Sequence, residues 1–162
     1  MQAFMDKVAK AEYILLAVMI ALMAIINFLQ VVFRYLLHGS LPWSEETLRF
    51  LFIWATFIGA SIGVRKGAHL GLTFVIGFLP PKLKTAVAFI TYGLCLVFAG
   101  IIAYLGFQVV VMQIEFNVRS SAMGIPMWWP SLAIPVSFIL MILHIVNLAR
   151  GHQDKEQVRI EN

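Results

Sequence analysis

The chain has 162 residues, of which 61% are hydrophobic and 12% are charged, and its mean hydropathy is +0.89. A soluble globular domain carries about 25% charged residues, so this composition excludes an ordinary soluble domain. The net charge of +4 is spread over short segments between apolar runs, which favours membrane topology over nucleic-acid binding.

Apolar stretches of about 20 residues can cross a bilayer as a helix. The sequence therefore predicts a single all-α membrane domain over residues 1–162. The four predicted spans are at about 13–37, 48–64, 86–114 and 130–148, with a loop at 65–85 and a polar tail at 149–162. The third span would measure about 43 Å, longer than a hydrocarbon core of roughly 30 Å, and is predicted to tilt or protrude.

The first span follows Lys7 and Lys10, as the apolar core of a signal peptide would. Its apolar run is far longer than a signal-peptide core of about 7–15 residues, and residues 36–39 contain no Ala-x-Ala-like cleavage site. We therefore expect a retained helix. Near its end, Asn27, Gln30 and Arg34 share one face, where polar groups exposed to lipid are costly.

That polar face can be interpreted in two ways. Its side chains either form hydrogen bonds within a four-helix bundle or contact another membrane subunit that docks there. For Arg34, a third is that its side chain extends to the lipid headgroups.

The second span has an acidic start after Pro42 and Trp43. Ser44 is predicted to be the helix N-cap, with Glu45 and Glu46 in the first turn, where carboxylates favour the helix dipole. Glu45 and Arg49 are also i, i+4 partners. We prefer this structural account to acid–base catalysis because no nucleophile, metal ligand or second catalytic group accompanies the two carboxylates.

Small residues recur at every fourth position along the second span, which favours close approach of helix backbones. The interpretations are packing inside the chain, which we prefer, and an intersubunit contact. The series is Ala55, Gly59, Gly63, Gly67 and Gly71, and we expect the helix to end soon after Gly63.

Basic residues follow the second span. Arg65 and Lys66 are predicted to bind anionic lipid headgroups. His69 either binds headgroups with them or contacts a neighbouring part of the protein and so holds the loop in place. Residues 70–79 are apolar but too short to span, which predicts an interfacial segment or a short helix.

The distribution of Lys and Arg predicts the orientation. Of the 12 such residues, only Arg34, Arg49 and Arg119 lie on the side opposite the termini. Both termini are therefore predicted to be cytoplasmic. Interfacial aromatic anchors, typical of span ends, are expected at Trp43, Trp128 and Trp129.

The sequence indicates no catalytic residue, cofactor or metal site. Cys95 lies alone in an apolar run and is expected to be a buried thiol. His144 has no opposed histidine for haem, and Glu12 and Glu115 lie at span edges, leaving no carboxylate deep in the membrane. Such a chain is typical of a scaffold, or of one part of a larger transporter.

Two segments resemble the small membrane subunit of tripartite ATP-independent periplasmic (TRAP) transporters. The first is Trp43-Ser44-Glu45-Glu46 with Arg49, Trp54, Gly59, Ala60, Arg65, Gly67 and His69. The second is Met123-Gly124-Ile125-Pro126 with Trp128 or Trp129 and Ala133-Ile134-Pro135. Departures from the family pattern are Val136-Ser137, where many relatives carry glycine, and Leu70-Gly71-Leu72, which lacks an acidic residue.

The resemblance implies a multi-pass protein of the bacterial inner membrane. A large membrane subunit would hold the substrate and sodium sites and move in an elevator-like mechanism. A periplasmic binding protein would deliver an organic acid, such as a dicarboxylate or a sialic acid, and the small subunit would act as a scaffold. The candidate contacts to the large subunit are Asn27, Gln30, Arg34, Arg49, Ala55, Gly59 and Gly63.

Some relatives are fused to the large subunit. Because this chain ends in a polar tail at residues 150–162, we expect it to be a separate polypeptide. The rival interpretations are an oligomeric small exporter, which would need a membrane-embedded carboxylate, an anchor subunit of a membrane oxidoreductase, and an unrelated anchor protein.

Overall fold

A computed structural model describes the backbone of residues 2–39, 41–65 and 81–160. Over these ranges it is helical and contains no β-strand beyond one isolated bridge. The helices are α1 (Gln2–Leu36), α2 (Pro42–Arg65), α3 (Pro81–Glu115), α4 (Trp128–Ser131) and α5 (Ala133–Ile160). Four segments are long and apolar enough to cross a membrane, namely Met5–Leu36, Pro42–Arg65, Ile90–Glu115 and Trp128–Leu148. The predicted all-α membrane class is confirmed.

The helices extend beyond the predicted spans. α2 begins at Pro42, because proline is favoured in the first helical position, where no backbone N–H is needed. α3 begins at Pro81, inside the predicted loop, and α5 continues to Ile160 through the predicted polar tail. The expected contacts of Lys66 and His69 and the path of residues 70–79 lie outside the described ranges. The orientation of the termini stays a prediction.

The long helices form an open row rather than a closed bundle. α1 packs on α2, α2 on α5, and α5 on α3, so the order across the layer is α1, α2, α5, α3. The most apolar part of α1 contributes no buried side chain. This arrangement leaves α1 and α3 as the two edges, and both carry many exposed apolar side chains suited to lipid or to another membrane protein.

The two ends of the row are distinguished here by their residues. The Trp43 end contains the end of α1, the start of α2, the end of α3 and α4. The Arg65 end contains the start of α1 and the end of α2. Contacts between α1 and α2 at each end show that these helices run antiparallel.

Aromatic packing joins the middle of the row. Phe138 of α5 has its ring centroid 6.2 Å from that of Phe57 in α2 and also 6.2 Å from that of Phe98 in α3. Both pairs are inclined, at 55° and 65°, as aromatic rings prefer. α5 therefore serves as the central helix of the layer.

Gly106 marks a close crossing of α3 and α5. A Cβ atom built on it would lie 2.8 Å from Cγ2 of Ile134 and 3.2 Å from Cδ of Pro135. At Gly59, the glycine emphasised by the sequence pattern, a Cβ would meet Cδ2 of Leu16 at an ordinary 3.9 Å. Only the absence of a side chain at Gly106 lets α3 approach α5 this closely.

We expect Gly106→Ala to destabilise the protein by about 1–3 kcal/mol, because the added methyl overpacks the crossing of α3 and α5. The check is thermal unfolding of the detergent-solubilised protein. Gly93→Ala and Gly100→Ala are matched controls on α3, since a Cβ there meets nothing within 4 Å. Equal melting temperatures for all three variants would contradict a tight crossing at Gly106.

Candidate functional site

A buried polar cluster near the Arg65 end joins three helices. The Glu12 carboxylate of α1 accepts a 2.9 Å hydrogen bond from Ser61 Oγ of α2 through Oε1. Its Oε2 lies 2.9 Å from Nε2 of His144 in α5. Glu12 is 5% exposed, His144 1% and Ser61 0%, so this cluster is sealed from solvent.

The physical cost of burial explains why the three side chains meet. A carboxyl group removed from water is costly unless hydrogen bonds replace its hydration, and here both oxygens have a partner. Beside the cluster, Arg65 of α2 forms a 2.6 Å ion pair with Asp6 of α1. The cluster and the ion pair together attach α1 to the rest of the layer.

The sequence analysis did not predict this cluster. It placed Glu12 at a span edge and found no opposed histidine for His144, whereas the two side chains contact each other between α1 and α5. The absence of a carboxylate deep in the membrane stays a prediction, since the buried Glu12 lies outside the most apolar part of α1. The sequence feature that could have indicated this cluster is an acidic residue inside the apolar segment Met5–Leu36. The histidine partner of that residue is 132 positions away.

A second polar cluster lies at the Trp43 end. Glu46 Oε2 of α2 accepts hydrogen bonds from Ser120 Oγ at 2.7 Å and from the Met123 backbone N–H at 2.9 Å. Thr47 Oγ1 lies 3.3 Å from the Met123 sulfur. The carboxylate of Glu46 thus holds the loop between α3 and α4 against the start of α2.

The same loop is stabilised by its own backbone. Ser120 N–H donates to the Ile125 carbonyl at 2.8 Å, and the Arg119–Pro126 bridge closes a narrow turn. Gly124 has a φ of +66°, which a residue with a side chain rarely adopts. The run from Met123 to Pro126 therefore has a structural role, with Gly124 permitting the turn.

A cleft of about 430 Å³ opens between α1 and α2 at the Trp43 end. Its lining side chains include Gln30, Arg34 and Glu45. Gln30 Nε2 lies 3.5 Å from Glu45 Oε1, at the limit of a hydrogen bond. Among the described residues Arg34 has no ion-pair partner, so its charge is available to a ligand or a partner.

Two predictions about the start of α2 are wrong. Ser44 is not the N-cap, because the helix already begins at Pro42, and its hydroxyl donates to the Leu41 carbonyl at 2.7 Å. Glu45 forms no ion pair with Arg49 within the described part of the chain.

The other predicted residues are placed as follows. Gly59 faces Leu16 of α1, which favours packing inside the chain. Ala55 and Gly63 are half-buried, whereas Arg49 and Asn27 are exposed. Arg65, predicted to bind lipid, instead pairs with Asp6.

The tryptophans near the Trp43 end form a partly exposed group. Trp43 and Trp129 are exposed, whereas Trp128 is half-buried. The Trp129 ring lies 6.0 Å from Trp54 of α2 and 6.1 Å from Trp128, measured between centroids. The predicted anchoring of these rings in a membrane interface stays a prediction.

Comparison with known proteins identifies the family. Residues 22–153 match the family described as tripartite ATP-independent periplasmic transporters, DctQ component. The chain belongs to this DctQ family. The suspected resemblance is confirmed, and the protein is a multi-pass membrane component of a TRAP transporter and not an enzyme.

Three relatives illustrate the range of the family. The C4-dicarboxylate TRAP transporter small permease protein DctQ of Rhodobacter capsulatus is 28% identical over 88% of this chain and 76% of its own length. The sialic acid TRAP transporter small permease protein SiaQ of Vibrio cholerae is 30% identical over 81% of this chain and 74% of its own. The isethionate TRAP transporter permease protein DctMQ of Oleidesulfovibrio alaskensis is 29% identical over 90% of this chain. The matched part is 23% of that longer relative.

We expect Glu12→Ala to destabilise this DctQ-family protein by about 3 kcal/mol, because it leaves Ser61 and His144 buried without their partner. Glu12→Gln should cost less, since the amide oxygen still accepts a hydrogen bond. The measurement is denaturant unfolding of the solubilised protein, with Lys10→Ala, an exposed position on α1, as the control. A Glu12→Ala variant as stable as Lys10→Ala would contradict the structural role of the cluster.

We expect Glu46→Gln to loosen the loop between α3 and α4, because a neutral amide is a weaker acceptor than a carboxylate. Hydrogen exchange followed by mass spectrometry should show faster exchange in a peptide containing Met123. Glu45→Gln changes the same charge at the adjacent position, which does not contact the loop, and should leave that exchange unchanged. Equal exchange in both variants would mean that Glu46 does not restrain the loop.

Proposed function

We propose that this chain is the small subunit of a sodium-coupled, binding-protein-dependent importer, located in the bacterial inner membrane, and that it acts as a scaffold for the large transport subunit. The observation that carries the scaffold role is the open row of helices. A layer with two broad apolar faces and two uncovered edges extends the membrane footprint of a partner, and its main polar cluster is occupied by contacts between its own helices.

A large permease subunit is the proposed partner. The DctMQ relative contains a segment similar to this chain within a polypeptide more than four times as long as the matched part. In that relative the segment similar to this chain is covalently joined to the rest of the permease. We therefore expect this chain to assemble with a large permease subunit that corresponds to the rest of that relative. Membrane lipids cover the remaining surface.

The proposed solute is an organic acid of the dicarboxylate or sialic acid class. C4-dicarboxylate and sialic acid appear in the names of the relatives from Rhodobacter capsulatus and Vibrio cholerae. The described residues of this chain show no cluster suited to holding a metal ion. We assign the sodium and solute sites to the large subunit. Substrate specificity would then reside in the partners.

We place the Trp43 end in the periplasm and both termini in the cytoplasm, as the distribution of Lys and Arg favours. In this orientation, the loop held by Glu46 faces the periplasmic binding protein. Its short backbone hydrogen bonds and the Glu46 contacts give a preordered surface, which lowers the entropy cost of docking.

The α1 edge is the proposed contact with the large subunit. Asn27 is exposed within a membrane-length helix and has no hydrogen-bond partner among the described residues. At the opposite edge, Gln108 of α3 donates to Tyr104 of the same helix at 2.8 Å. An unpaired amide facing lipid is costly, so Asn27 favours a polar partner, whereas the Gln108 amide at the α3 edge already has Tyr104 as its partner.

The experiment is co-purification from the native host. The chain is tagged and extracted in mild detergent, and its partners are identified and quantified by mass spectrometry. A large multi-span permease recovered in fixed stoichiometry is expected. Recovery of the chain as a homo-oligomer without a permease would overturn the subunit assignment and favour a stand-alone exporter.

The same pull-down tests the proposed edge. Asn27→Leu should lower the yield of the permease without destabilising the isolated chain, because it removes a polar contact while suiting lipid. Gln108→Leu makes the same kind of change at the α3 edge and should retain the permease. The opposite pattern would assign the contact to α3.

A further inference from the structure

The cleft at the Trp43 end contains two opposite charges that do not pair. Arg34 reaches it from α1 and Glu45 from the first turns of α2. Both side chains are exposed, and no ion pair joins them. Glu45 receives only the long 3.5 Å contact from Gln30. A cation and an anion that share one cleft without pairing suit a ligand that carries both charges.

The position of the cleft indicates the kind of ligand. Arg34 lies in the last turns of the membrane-length segment of α1, and Glu45 in the first turns of that of α2. Because the ends of membrane-spanning helices are expected to reach the headgroup region, both side chains are expected there, whichever way the chain is oriented. Below the cleft, α1 presents exposed apolar side chains, among them Phe28 and Val31, to the depth of the acyl chains.

We propose that this cleft binds the headgroup of a phosphatidylethanolamine molecule. The phosphate accepts hydrogen bonds from the Arg34 guanidinium, whose planar fork matches phosphate oxygens. The ammonium group donates to the Glu45 carboxylate. The Gln30 amide, 3.5 Å from the Glu45 carboxylate, provides a neutral donor and acceptor, and the cleft volume of about 430 Å³ leaves room for the headgroup.

The charges of the cleft discriminate between lipid classes. Phosphatidylglycerol has the phosphate but no cation, so it leaves Glu45 unpaired beside an anion. Phosphatidylcholine has a cation that donates no N–H hydrogen bond to a carboxylate. Phosphatidylethanolamine can satisfy both Arg34 and Glu45, and this inference does not depend on the transported solute.

The test is native mass spectrometry of the full chain, delipidated and then given equal amounts of phosphatidylethanolamine, phosphatidylglycerol and phosphatidylcholine with the same acyl chains. The wild type should retain phosphatidylethanolamine preferentially. Arg34→Gln should lower that retention by about tenfold, the loss expected for a charge-assisted hydrogen bond. Glu45→Gln should abolish the preference over phosphatidylglycerol while leaving phosphate binding.

Matched controls use charges outside the cleft. Arg49→Gln removes an exposed cation from α2, and Glu115→Gln removes an exposed carboxylate at the end of α3. Both should bind lipid as the wild type does. Equal retention of all three lipids by the wild type, or equal losses in Arg34→Gln and Arg49→Gln, would overturn the proposal.

A protein occupant gives a different result. If the large subunit fills the cleft, Arg34→Gln should reduce permease recovery in the pull-down while the isolated chain shows no lipid preference. That result would refute the lipid site and leave the subunit assignment intact. If the wild-type chain recovered no permease in the pull-down, the subunit assignment would be refuted. The lipid measurement on the isolated chain would not be affected.

Discussion

The bond between Glu12 and its two partners is the constraint on which the arrangement of this protein depends. A carboxyl group inside an apolar layer must find hydrogen bonds within the protein, and Ser61 and His144 provide them from two other helices. The most apolar part of α1 contributes no buried side chain, and the buried apolar side chains described for this helix, Met5 and Ala9, lie near the same end as the cluster. The polar cluster and the Asp6–Arg65 ion pair determine where this helix lies, and with it the edge offered to a partner.

The layer combines a closely packed interior with more exposed margins. Gly106 and the rings around Phe138 hold α3, α5 and α2 in close contact. At the Trp43 end, Glu46 binds the connecting loop to the same unit. α1 is attached mainly at the opposite end, and its other end borders an open cleft. This division is consistent with the proposed scaffold role.

The sequence was sufficient for features that depend on local composition. Four apolar runs predicted the four membrane-length helices, because length and hydropathy decide whether a segment can span a bilayer. The family followed from residue types at fixed spacing around Trp43 and Gly124. Orientation, the large-subunit contacts and the solute remain proposals, since they depend on molecules outside this chain.

Features that depend on contacts between distant helices were missed. Local residue spacing could not predict the contact between Glu12 and His144. It also could not show that Gly106, rather than Gly59, lies at the tighter helix crossing. At Ser44 the local pattern itself was misleading. Serine is a residue type that suits an N-cap. Proline, however, is favoured in the first helical position, and the helix begins at Pro42. Ser44 therefore lies in the first turn, where its hydroxyl donates to the Leu41 carbonyl.

The Glu12 cluster also has a consequence for biosynthesis. Glu12 lies on α1 and His144 on α5, 132 positions later, so the carboxylate has no histidine partner until α5 has been synthesised. Ser61 becomes available with the second helix and can satisfy one oxygen in the meantime. Until α5 is made, one oxygen of this carboxyl group lacks its partner within the protein, so removing the group from water costs more than it does in the complete fold.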